Sequence, residues 1–454
     1  MKNPKVVIIG SGSQFTEFFL QEYFKYEKFK GSTLVFIDRK PDRLKQEIRL
    51  AKAINDGLGW DVKLEGYSDR RQGLPGADFV FSFVAINSKE AWAKEFEICA
   101  KHGINAFEAY TVGAPGLSFS MRHVPLLLDI CKDMEELCPN AWQIIDINPL
   151  AKVLSAILKH TKVKSIGYCN GHEMIVMALE QFMNMTDRDG SQKDADPIER
   201  EFMVPAGRIA VELAGVNHMQ YCLRIYDAQT GEDLYPAVME KINATKTGDF
   251  PGGYRFSFEI AKSLKVIPSP ADNHVGDYIW CVDKDIAKAS GLGPYPVEQW
   301  FGGKNADDWA VIANKITSAE SAKTFVNQRR IGWMSTLIAH NMLSGEPKYF
   351  PALNVQNNGA ISNISDDIIV EVPGVIGPDY VKPVVVGPLP DSIAPMCELH
   401  GKITNLVAEA AATGSKELAM QALLLDPFIH SVTVAKNILA DILAYNKNYD
   451  TRFK

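Results

Sequence analysis

The order of apolar and polar residues in the first 38 positions predicts a strand, a tight turn, a helix and a second strand. Residues 6–9 form a short β-branched run, and residues 10–13 are glycine and serine. An amphipathic segment at 15–23 follows, and a second apolar run at 33–37 ends at Asp38. Apolar residues at helical spacing are typical of a helix, and short apolar runs bounded by glycine are typical of strands. We therefore predict a βαβ unit at the start of the chain.

The alternation of strands and helices continues to about residue 170. Further helices are predicted at 41–58, 88–101 and 117–137, and further strands at 61–64, 76–85, 142–147 and 166–169. Strands that alternate with helices form a parallel sheet covered by helices on both faces. We therefore predict an α/β fold with an N-terminal Rossmann-like, doubly wound domain at residues 1–170. Ligands of such sheets bind beyond the carboxyl ends of the strands, where Asn87, Asn148 and Cys169 are placed.

Beyond residue 170 the pattern changes. Residues 209–213 and 219–225 alternate like antiparallel strands, and residues 227–232 have the composition of a turn. Helices are predicted at 309–343, 397–412 and 418–445, the last of them interrupted near Pro427. We predict a C-terminal α+β domain at residues 171–454, packed directly on the first domain without a linker.

The glycine turn carries the first chemical indication. Gly10-Ser11-Gly12-Ser13 lies between a predicted strand and a predicted helix, and Asp38 ends the next strand. Glycines let the backbone approach a pyrophosphate, and the helix N-terminus offers it unpaired N–H donors. An acid after the second strand accepts a ribose 2′-hydroxyl, which favours NAD over NADP. The third glycine of the usual fingerprint is absent, so the motif also fits a plain βαβ unit.

Composition narrows the class of protein. The chain has 454 residues, of which 46% are hydrophobic and 23% charged, and its net charge is -7. A negative net charge does not favour binding to nucleic acid or to an anionic membrane surface. No apolar run reaches the roughly 20 residues that span a bilayer. The seven cysteines are scattered and odd in number, unlike a disulfide framework. We expect a cytoplasmic protein with reduced thiols and no nucleic-acid or membrane partner.

Two glycine-flanked motifs place metal-binding residue types near the predicted crevice. Cys169 lies within residues 167–173, and His218 lies within residues 215–218. No CxxC or HExxH spacing supports a metal site shared between them. On spacing alone, a small buried cysteine and a core histidine are the simpler interpretation.

A series of short motifs runs through most of the chain. They are Gly10-Ser11-Gly12-Ser13, Asp146-Ile147-Asn148-Pro149, Gly167-Tyr168-Cys169-Asn170, Gly215-Val216-Asn217-His218, Asp272-Asn273-His274, Asp277-Tyr278, Asn358-Gly359-Ala360-Ile361 and Val370-Glu371-Val372-Pro373. In this order and spacing they resemble glycoside hydrolase family 4, the NAD- and divalent-metal-dependent glycosidases. The resemblance implies a nucleotide domain similar to that of lactate and malate dehydrogenases.

The resemblance also implies roles for particular residues. Cys169 and His218 would bind a metal, usually manganese, together with sugar hydroxyls. Asn148 and Asn170 would contact the substrate. A thiolate is an unusually soft ligand for Mn²⁺, so residue type alone leaves zinc open.

The reaction of the family does not use a simple pair of carboxylates. A hydride would pass from C3 of the sugar to NAD⁺, and the metal would polarise the new C3 carbonyl, which acidifies the C2 proton. A base would remove that proton, the aglycone would leave by elimination, and water and the hydride would then add back. Asp272 is the first candidate for the base and Tyr278 the second, with His274 as orienter or acid. A helix N-cap is the alternative role of Asp272.

The sugar is less well specified by the resemblance. Residues 169–173 read Cys-Asn-Gly-His-Glu, which shares an Asn with the 6-phospho-β-glucosidase subgroup but lacks its Pro. The sequence shows no evident arginine cluster for a phosphate, which favours a non-phosphorylated sugar or a uronic acid. A 6-phospho-glycosidase is the alternative. Arg122, Arg329 and Arg330 are candidates either for binding a carboxylate bidentately or for surface or inter-domain ion pairs.

Two other functions fit the same nucleotide-binding pattern. A 2-hydroxy-acid dehydrogenase of the malate or lactate type would turn over NAD and need no metal. A non-catalytic dinucleotide-binding protein would use Cys169 and His218 as ordinary core residues. The aliphatic C-terminal helices, together with the resemblance, imply a homodimer or homotetramer.

Overall fold

The computed structural model describes residues 3–185, 208–282, 284–294, 297, 306–328, 334–449 and 452–453. Strands and helices alternate through its first half. The strands are β1 (Lys5–Ile9), β2 (Thr33–Ile37), β3 (Lys63–Tyr67), β4 (Phe79–Ser82), β5 (Trp142–Ile145) and β6 (Lys164–Gly167). The helices are α1 (Thr16–Tyr23), α2 (Pro41–Leu58), α3 (Arg70–Gly73), α4 (Ser88–Lys101), α5 (Gly113–Leu137), α6 (Leu150–His160) and α7 (Gly171–Met183).

Strands β1 to β6 form a parallel sheet in the order β3-β2-β1-β4-β5-β6. Successive side chains of β1 point to opposite faces of this sheet. Val6 and Ile8 pack in a cluster with residues of α1 and α2, whereas Val7 and Ile9 pack with residues of α5 and α6. Helices therefore cover both faces, and the predicted doubly wound N-terminal fold is confirmed.

The second half of the described chain contains both strands and helices, without the regular alternation of the first half. Its strands are β7 (Ile209–Val216), β8 (Met219–Asp227), β9 (Ile267–Ser269), β10 (Lys348–Gln356), β11 (Ile369–Gly377) and β12 (Tyr380–Pro383). Its helices are α8 (Tyr235–Ala244), α9 (Arg255–Leu264), α10 (Asp272–Gly276), α11 (Lys284–Ser290), α12 (Ala306–Lys315), α13 (Ala319–Val326), α14 (Ser335–Ser344), α15 (Ala394–Thr413), α16 (Lys416–Leu425) and α17 (Val432–Asn446). Short 3-10 helices lie at Glu27–Phe29 and Thr247–Asp249. Among the helices described, none has the length and apolar character needed to cross a membrane.

The later strands extend the parallel sheet instead of forming a separate one. Strand β10 pairs antiparallel with β6 through Asn354 and Gly167, and β11 pairs antiparallel with β7 through Glu371 and Gly215. The complete order is β3-β2-β1-β4-β5-β6-β10-β11-β7-β8-β9, with β12 beside β11. Asn354 and Glu371 are fully buried, so two polar side chains lie in the interior where the parallel and antiparallel parts meet.

The structure differs from the sequence prediction in several elements. The helix predicted at 309–343 is three helices, and Ser318 separates two of them because its side chain caps α13 in a capping box with Ser321. Strands β9 to β12 and helices α6 to α11 are absent from the prediction. Strand β11 contains Pro373 and Gly374, residue types that are rare inside a central strand. The interruption near Pro427 is confirmed, since α16 ends before it and α17 begins after it.

Candidate active site

Gly10 closes the turn that follows β1. Its N–H donates to the carbonyl oxygen of Ile37 at 2.8 Å, and its φ is +82°. A Cβ at this position would lie 2.8 Å from the backbone nitrogen of Val84, so a residue larger than glycine does not fit without movement of the backbone. The turn is thereby held between β2 and the segment that follows β4.

Asp38 lies against the same turn. Its Oδ2 atom accepts the N–H of Gly12 at 2.9 Å, and a Cβ on Gly12 would come within 2.4 Å of that oxygen. The N–H of Ser13 donates to the Gly10 carbonyl at 3.1 Å, just before α1 begins. The structure therefore brings the predicted cofactor residues, including Ser11, to one place. A glycine turn, a helix N-terminus and an acid in this arrangement suit a dinucleotide.

The turn between β7 and β8 is the centre of a second group of polar residues. Asn217 and His218 link the two strands, and His218 has a φ of +66°. The side-chain amide of Asn217 donates to Oε2 of Glu371 at 2.8 Å. Burial raises the pKa of Glu371 to about 7, against hydrogen bonds from Asn217, Gln220 and Asn354 that lower it. The hairpin turn is therefore fixed against the middle of the sheet.

Cys169 follows β6 and lies beside this turn. All seven cysteines of the chain are free thiols, and that of Cys169 is hydrogen-bonded to the Gly171 backbone and the Asn217 side chain. Burial raises the pKa of the Cys169 thiol well above its usual range, and the nearby carboxylate of Glu371 raises it further. The two predicted metal ligands are thus both next to Asn217, Cys169 through a hydrogen bond and His218 as the following residue.

The rings of His218 and His274 lie against each other, with 4.1 Å between their centroids. The Nδ1 atoms of both are buried and have no hydrogen-bond partner among the described residues. Burial lowers the pKa of both side chains, that of His274 to about 4, so both imidazoles are neutral near pH 7 and can donate a lone pair. In the described ranges, no three His, Cys, Asp or Glu side chains are grouped to hold a metal. A metal bound by Cys169 and His218 would therefore complete its shell with substrate or water.

Asp272 has a structural role in this arrangement. Its carboxylate accepts the N–H of Phe256 at 3.0 Å, and the N–H and hydroxyl of Ser257 at 2.8 Å each. These donors lie in the first turn of α9, so Asp272 caps a neighbouring helix instead of its own. The residue is 2% exposed. A carboxylate that is buried and satisfied by three donors is poorly placed to take a proton from a substrate.

Tyr278 lines a cavity next to the hairpin turn. Its hydroxyl donates to the backbone carbonyl oxygen of Asn217 at 2.8 Å. Burial raises the pKa of the phenol above its usual range, so Tyr278 is neutral in the absence of a ligand. The cavity is lined by Thr111, Pro149, Leu150, Ala151, Lys152, Val216, Asn217, Tyr278, Ile369 and Thr404.

The two predicted substrate contacts lie at the starts of helices. Asn148 immediately precedes Pro149, the N-cap residue of α6, and Asn170 is itself the N-cap residue of α7. Both side chains are half-buried. Asn148 is therefore next to the cavity that Pro149 lines, and Asn170 is next to Cys169, so both follow strand ends at the same edge of the sheet.

Comparison with known proteins assigns the family. The model described as Family 4 glycosyl hydrolase matches residues 5–185, and that described as Family 4 glycosyl hydrolase C-terminal domain matches residues 213–429. The chain belongs to family 4 of the glycosyl hydrolases. The resemblance drawn from the motifs is thereby confirmed, and with it the expectation of an enzyme that hydrolyses glycosides.

This family 4 enzyme is similar to known relatives over their full length. An α-galactosidase of Bacillus subtilis (strain 168) is 27% identical over 467 residues, which cover 99% of this chain and 100% of the relative. A probable 6-phospho-β-glucosidase of the same organism is 28% identical over 461 residues, 100% of this chain and 98% of the relative. A solved 6-phospho-α-glucosidase from gut microorganisms, in complex with NAD and Mn²⁺, has a TM-score of 0.78 at 18% identity and covers 100% of both chains. The last likeness shows a shared fold.

Arg122 belongs to the core of the family 4 fold and not to the cavity. Its side chain is fully buried, and it donates to Oε1 of Glu95 at 2.9 Å and to Oδ1 of Asn446 at 2.7 Å. These contacts join α4, α5 and α17. Arg122 therefore forms an ion pair, but this pair is buried and lies within the predicted N-terminal domain, and is not the surface or inter-domain pair that was expected. Arg329 and Arg330 lie outside the described residues.

Sequence reasoning missed three residues of the site, namely Lys152, Asn217 and Glu371. Lys152 is a lysine in a largely apolar part of α6, and Glu371 is a carboxylate in a run of apolar strand residues. Both are buried, and charged residues are rarely buried without a reason. Lys152 and Glu371 could therefore have been found in the sequence as charged residues within otherwise apolar elements. Asn217 lies beside His218 in a quoted motif, but nothing local marked its amide.

Proposed function

We propose that this family 4 enzyme is an NAD- and manganese-dependent glycosidase that cleaves a small glycoside by oxidation and elimination. The observation that carries the proposal is the placement of Cys169 and His218 around Asn217, in a fold whose glycine turn holds Asp38. The names of its relatives are consistent with glycoside cleavage, and the similar 6-phospho-α-glucosidase structure contains NAD and Mn²⁺.

Residues already in place would hold both cofactors. Glycine at positions 10 and 12 lets the turn pack closely against the segment after β4 and against Asp38. The turn and the N-terminus of α1 would bind the pyrophosphate, and the Asp38 carboxylate would accept ribose hydroxyls. Cys169 would bind the metal as a thiolate, since its thiol would lose its proton on binding. His218 offers an imidazole Nδ1 atom that has no hydrogen-bond partner in the described part of the chain. When bound, NAD⁺ supplies a hydride acceptor for C3 of the sugar and the metal supplies a Lewis acid for the C3 oxygen.

We propose Tyr278, the second of the two sequence candidates, as the base that removes the C2 proton. Its hydroxyl lies at the cavity and has one protein acceptor, the Asn217 carbonyl, whereas the Asp272 carboxylate already accepts three hydrogen bonds. His274 would orient His218 through the contact of their rings.

We propose that the sugar is not phosphorylated and is either neutral or a uronic acid. Among the described residues that line the cavity, Lys152 is the one cation. A phosphate monoester carries a charge of about -1.5 to -2 at pH 7 and is usually bound by several donors of the arginine type. The half-buried amides of Asn148 and Asn170 would bond to sugar hydroxyls. The alternative is a 6-phospho-glycoside, which the names of two relatives favour.

A screen of chromogenic glycosides tests this function. It uses the enzyme with NAD⁺ and Mn²⁺ under reducing conditions, and matched aglycones on a neutral sugar, its uronide and its 6-phosphate. We expect chromophore release without net formation of NADH, since the hydride returns to the sugar. NADH that accumulates in proportion to product would instead support the 2-hydroxy-acid dehydrogenase.

We also propose that the protein is a cytoplasmic homodimer or homotetramer. Leu424, Leu425 and Val432, where α16 and α17 meet, are 48%, 45% and 56% exposed. Apolar side chains grouped on a surface are typical of protein interfaces. Light scattering coupled to gel filtration measures the mass in solution, and a monomer at micromolar concentration would contradict the proposal.

A further inference from the structure

Lys152 is a charged side chain placed where only apolar or neutral groups are normally tolerated. It is 3% exposed, and its neighbours Val153, Leu154 and Ile157 on α6 are buried in the core. Transfer of an ammonium out of water is costly unless other groups compensate for it. Burial accordingly lowers the pKa of Lys152 to about 8. Such a residue is retained for what its charge does.

The ammonium of Lys152 has few partners within the protein. It donates to the backbone carbonyl oxygen of Thr111, which uses one of its three N–H donors. In the described part of the chain, no carboxylate forms an ion pair with it. The carboxylate that acts on it electrostatically is that of Asp426, which itself accepts the N–H of Phe428 at 3.0 Å. Two donors and most of the positive charge are therefore available to a ligand.

The charge of Lys152 acts on two buried histidines, His218 and His400. Lys152 lines the same cavity as Asn217 and Tyr278, and its charge lowers the pKa of both His218 and His400 beyond the effect of burial. His400 is 2% exposed, and neither of its ring nitrogens has a hydrogen-bond partner in the described residues. Its ring lies 4.8 Å from that of Tyr278.

We propose that Lys152 determines substrate specificity by binding an anionic group of the glycoside, in the cavity that Tyr278 and Asn217 also line. The inference rests on the proposed glycosidase function and adds the chemical class of the substrate to it. A buried ammonium with two free donors binds a carboxylate or a phosphate ester far better than a neutral hydroxyl, because the bond is charge-assisted and water is excluded. Of the two sugars proposed above, the inference therefore selects the uronic acid over the neutral sugar. A sugar 6-phosphate, the alternative substrate, shares this chemistry with the uronide carboxylate, and the substrates used in the test distinguish them.

The test compares Lys152→Met with Lys159→Met on the three matched glycosides, namely neutral sugar, uronide and 6-phosphate. Lys159 lies on the same helix, is exposed, and pairs with Glu409 at 2.8 Å, so its substitution controls for the loss of one lysine from α6. We expect wild type to prefer an anionic substrate. Lys152→Met should lose at least about 10-fold in kcat/KM on that substrate, mainly through KM, since a hydrogen bond to a charged group contributes about 1.5–3 kcal/mol.

Activity on the neutral glycoside should change by less than about 3-fold in Lys152→Met, and Lys159→Met should behave as wild type on all three. An equal loss on neutral and anionic substrates, no loss on any, or a wild type that prefers the neutral sugar would each overturn the role of Lys152. The glycosidase function would survive those outcomes, whereas cleavage of none of the glycosides would remove the function itself.

A second measurement needs neither turnover nor a folded variant. Wild-type protein is treated with a lysine-modifying reagent, and the modification of Lys152 relative to Lys159 is followed by mass spectrometry. Glucuronate or glucose 6-phosphate should protect Lys152 at least about 5-fold more than glucose does, and protection by only one of them identifies the anion. Equal protection by glucose, or none by either anion, would contradict the proposal.

Discussion

The phenol oxygen of Tyr278 lies 2.8 Å from the backbone carbonyl oxygen of Asn217. This contact joins the segment after α10 to the β7–β8 turn, which carries His218. Asp277, the residue before Tyr278, accepts the N–H groups of Phe107, Glu108 and Ala109 at 2.7–2.9 Å. The position of the phenol is therefore set from both sides, by the turn that carries the proposed metal ligand and by the loop before α5.

Replacing Tyr278 by Phe should lower kcat by about 10²–10⁴-fold, because the proposed general base is removed while the ring and its packing stay. The melting temperature should fall only slightly, as one buried hydrogen bond contributes about 0.5–1.5 kcal/mol. Steady-state kinetics with a saturating glycoside, together with thermal unfolding of the same samples, measure both. A Tyr278→Phe enzyme with near wild-type kcat would exclude Tyr278 as the base.

Replacing Asp272 by Asn should chiefly reduce stability. The carboxamide keeps one acceptor for the first turn of α9 but loses charge-assisted bonds, at a cost of about 1–3 kcal/mol. Thermal unfolding should show the lower melting temperature, and kcat per folded enzyme should stay within about 10-fold of wild type. A loss of several hundred-fold in kcat with unchanged stability would restore Asp272 as the base.

Replacing Asp38 by Ala should raise the NAD⁺ concentration needed for half-maximal activity by roughly 10-fold or more, since it removes a charged acceptor of the ribose hydroxyls. Asp42, an exposed acid nearby on α2, provides the control, and Asp42→Ala should need no more NAD⁺ than wild type. Titration of NAD⁺ at saturating Mn²⁺ measures the requirement. An unchanged requirement in Asp38→Ala would mean that Asp38 is structural and only fixes the backbone at Gly12 and Lys40.

Replacing Cys169 by Ala should abolish metal-dependent activity in a folded protein. The thiolate is the ligand, so chelation of the wild type should also abolish activity, and Mn²⁺ with a thiol reductant should restore it. Cys281→Ala is the matched control, because Cys281 is an exposed thiol and is not a predicted ligand. Binding of Mn²⁺ followed by electron paramagnetic resonance tests the assignment without turnover. Undiminished Mn²⁺ binding by Cys169→Ala would remove Cys169 as a ligand.

The low pKa of Lys152 predicts a pH dependence. The folded-state pKa is about 8, against 10.5 for an ordinary lysine, so the ammonium is lost above pH 8 while Asp426, His218 and His400 around it keep their charge states. The KM for an anionic glycoside should rise about 10-fold per pH unit above 8, and that for a neutral one should not.

The same pKa predicts how stability depends on pH. Between pH 8 and 10.5 the side chain of Lys152 binds more protons in the unfolded chain than in the folded protein, so the contribution of Lys152 to the free energy of unfolding rises with pH. Lys152→Met should lack both effects.

The local sequence pattern was enough to predict many of the strands and helices of the nucleotide-binding half. Strand β2 and helices α2 and α4 have the predicted bounds, because their apolar periodicity, Pro41 and the glycine after α2 are all local signals. The pairing of Gly12 with Asp38 was predictable for the same reason, as both lie in one βαβ unit. Cys169 and His218 needed the resemblance, since 49 positions separate them in the chain.

The remaining features depend on contacts between distant segments. Strands β10 and β11 are specified by burial in the middle of a mixed sheet, which overrides the Pro and Gly within β11. Asp272 caps α9, a helix that is only 15 residues before it, but its own sequence position equally fits a cap of α10. The free ammonium of Lys152 follows from the packing of α6 against the loop that contains Thr111, and no sequence pattern encodes that packing.

Turnover in D₂O tests the central claim most directly. An enzyme that oxidises C3 and removes the C2 proton must return a solvent proton to C2, whereas a carboxylate-pair glycosidase breaks only the bond at C1. The sugar released in the first turnovers, before product can rebind, is examined by NMR and mass spectrometry. The account predicts deuterium at C2 of the sugar released by wild type. Released sugar without deuterium at C2 would contradict it.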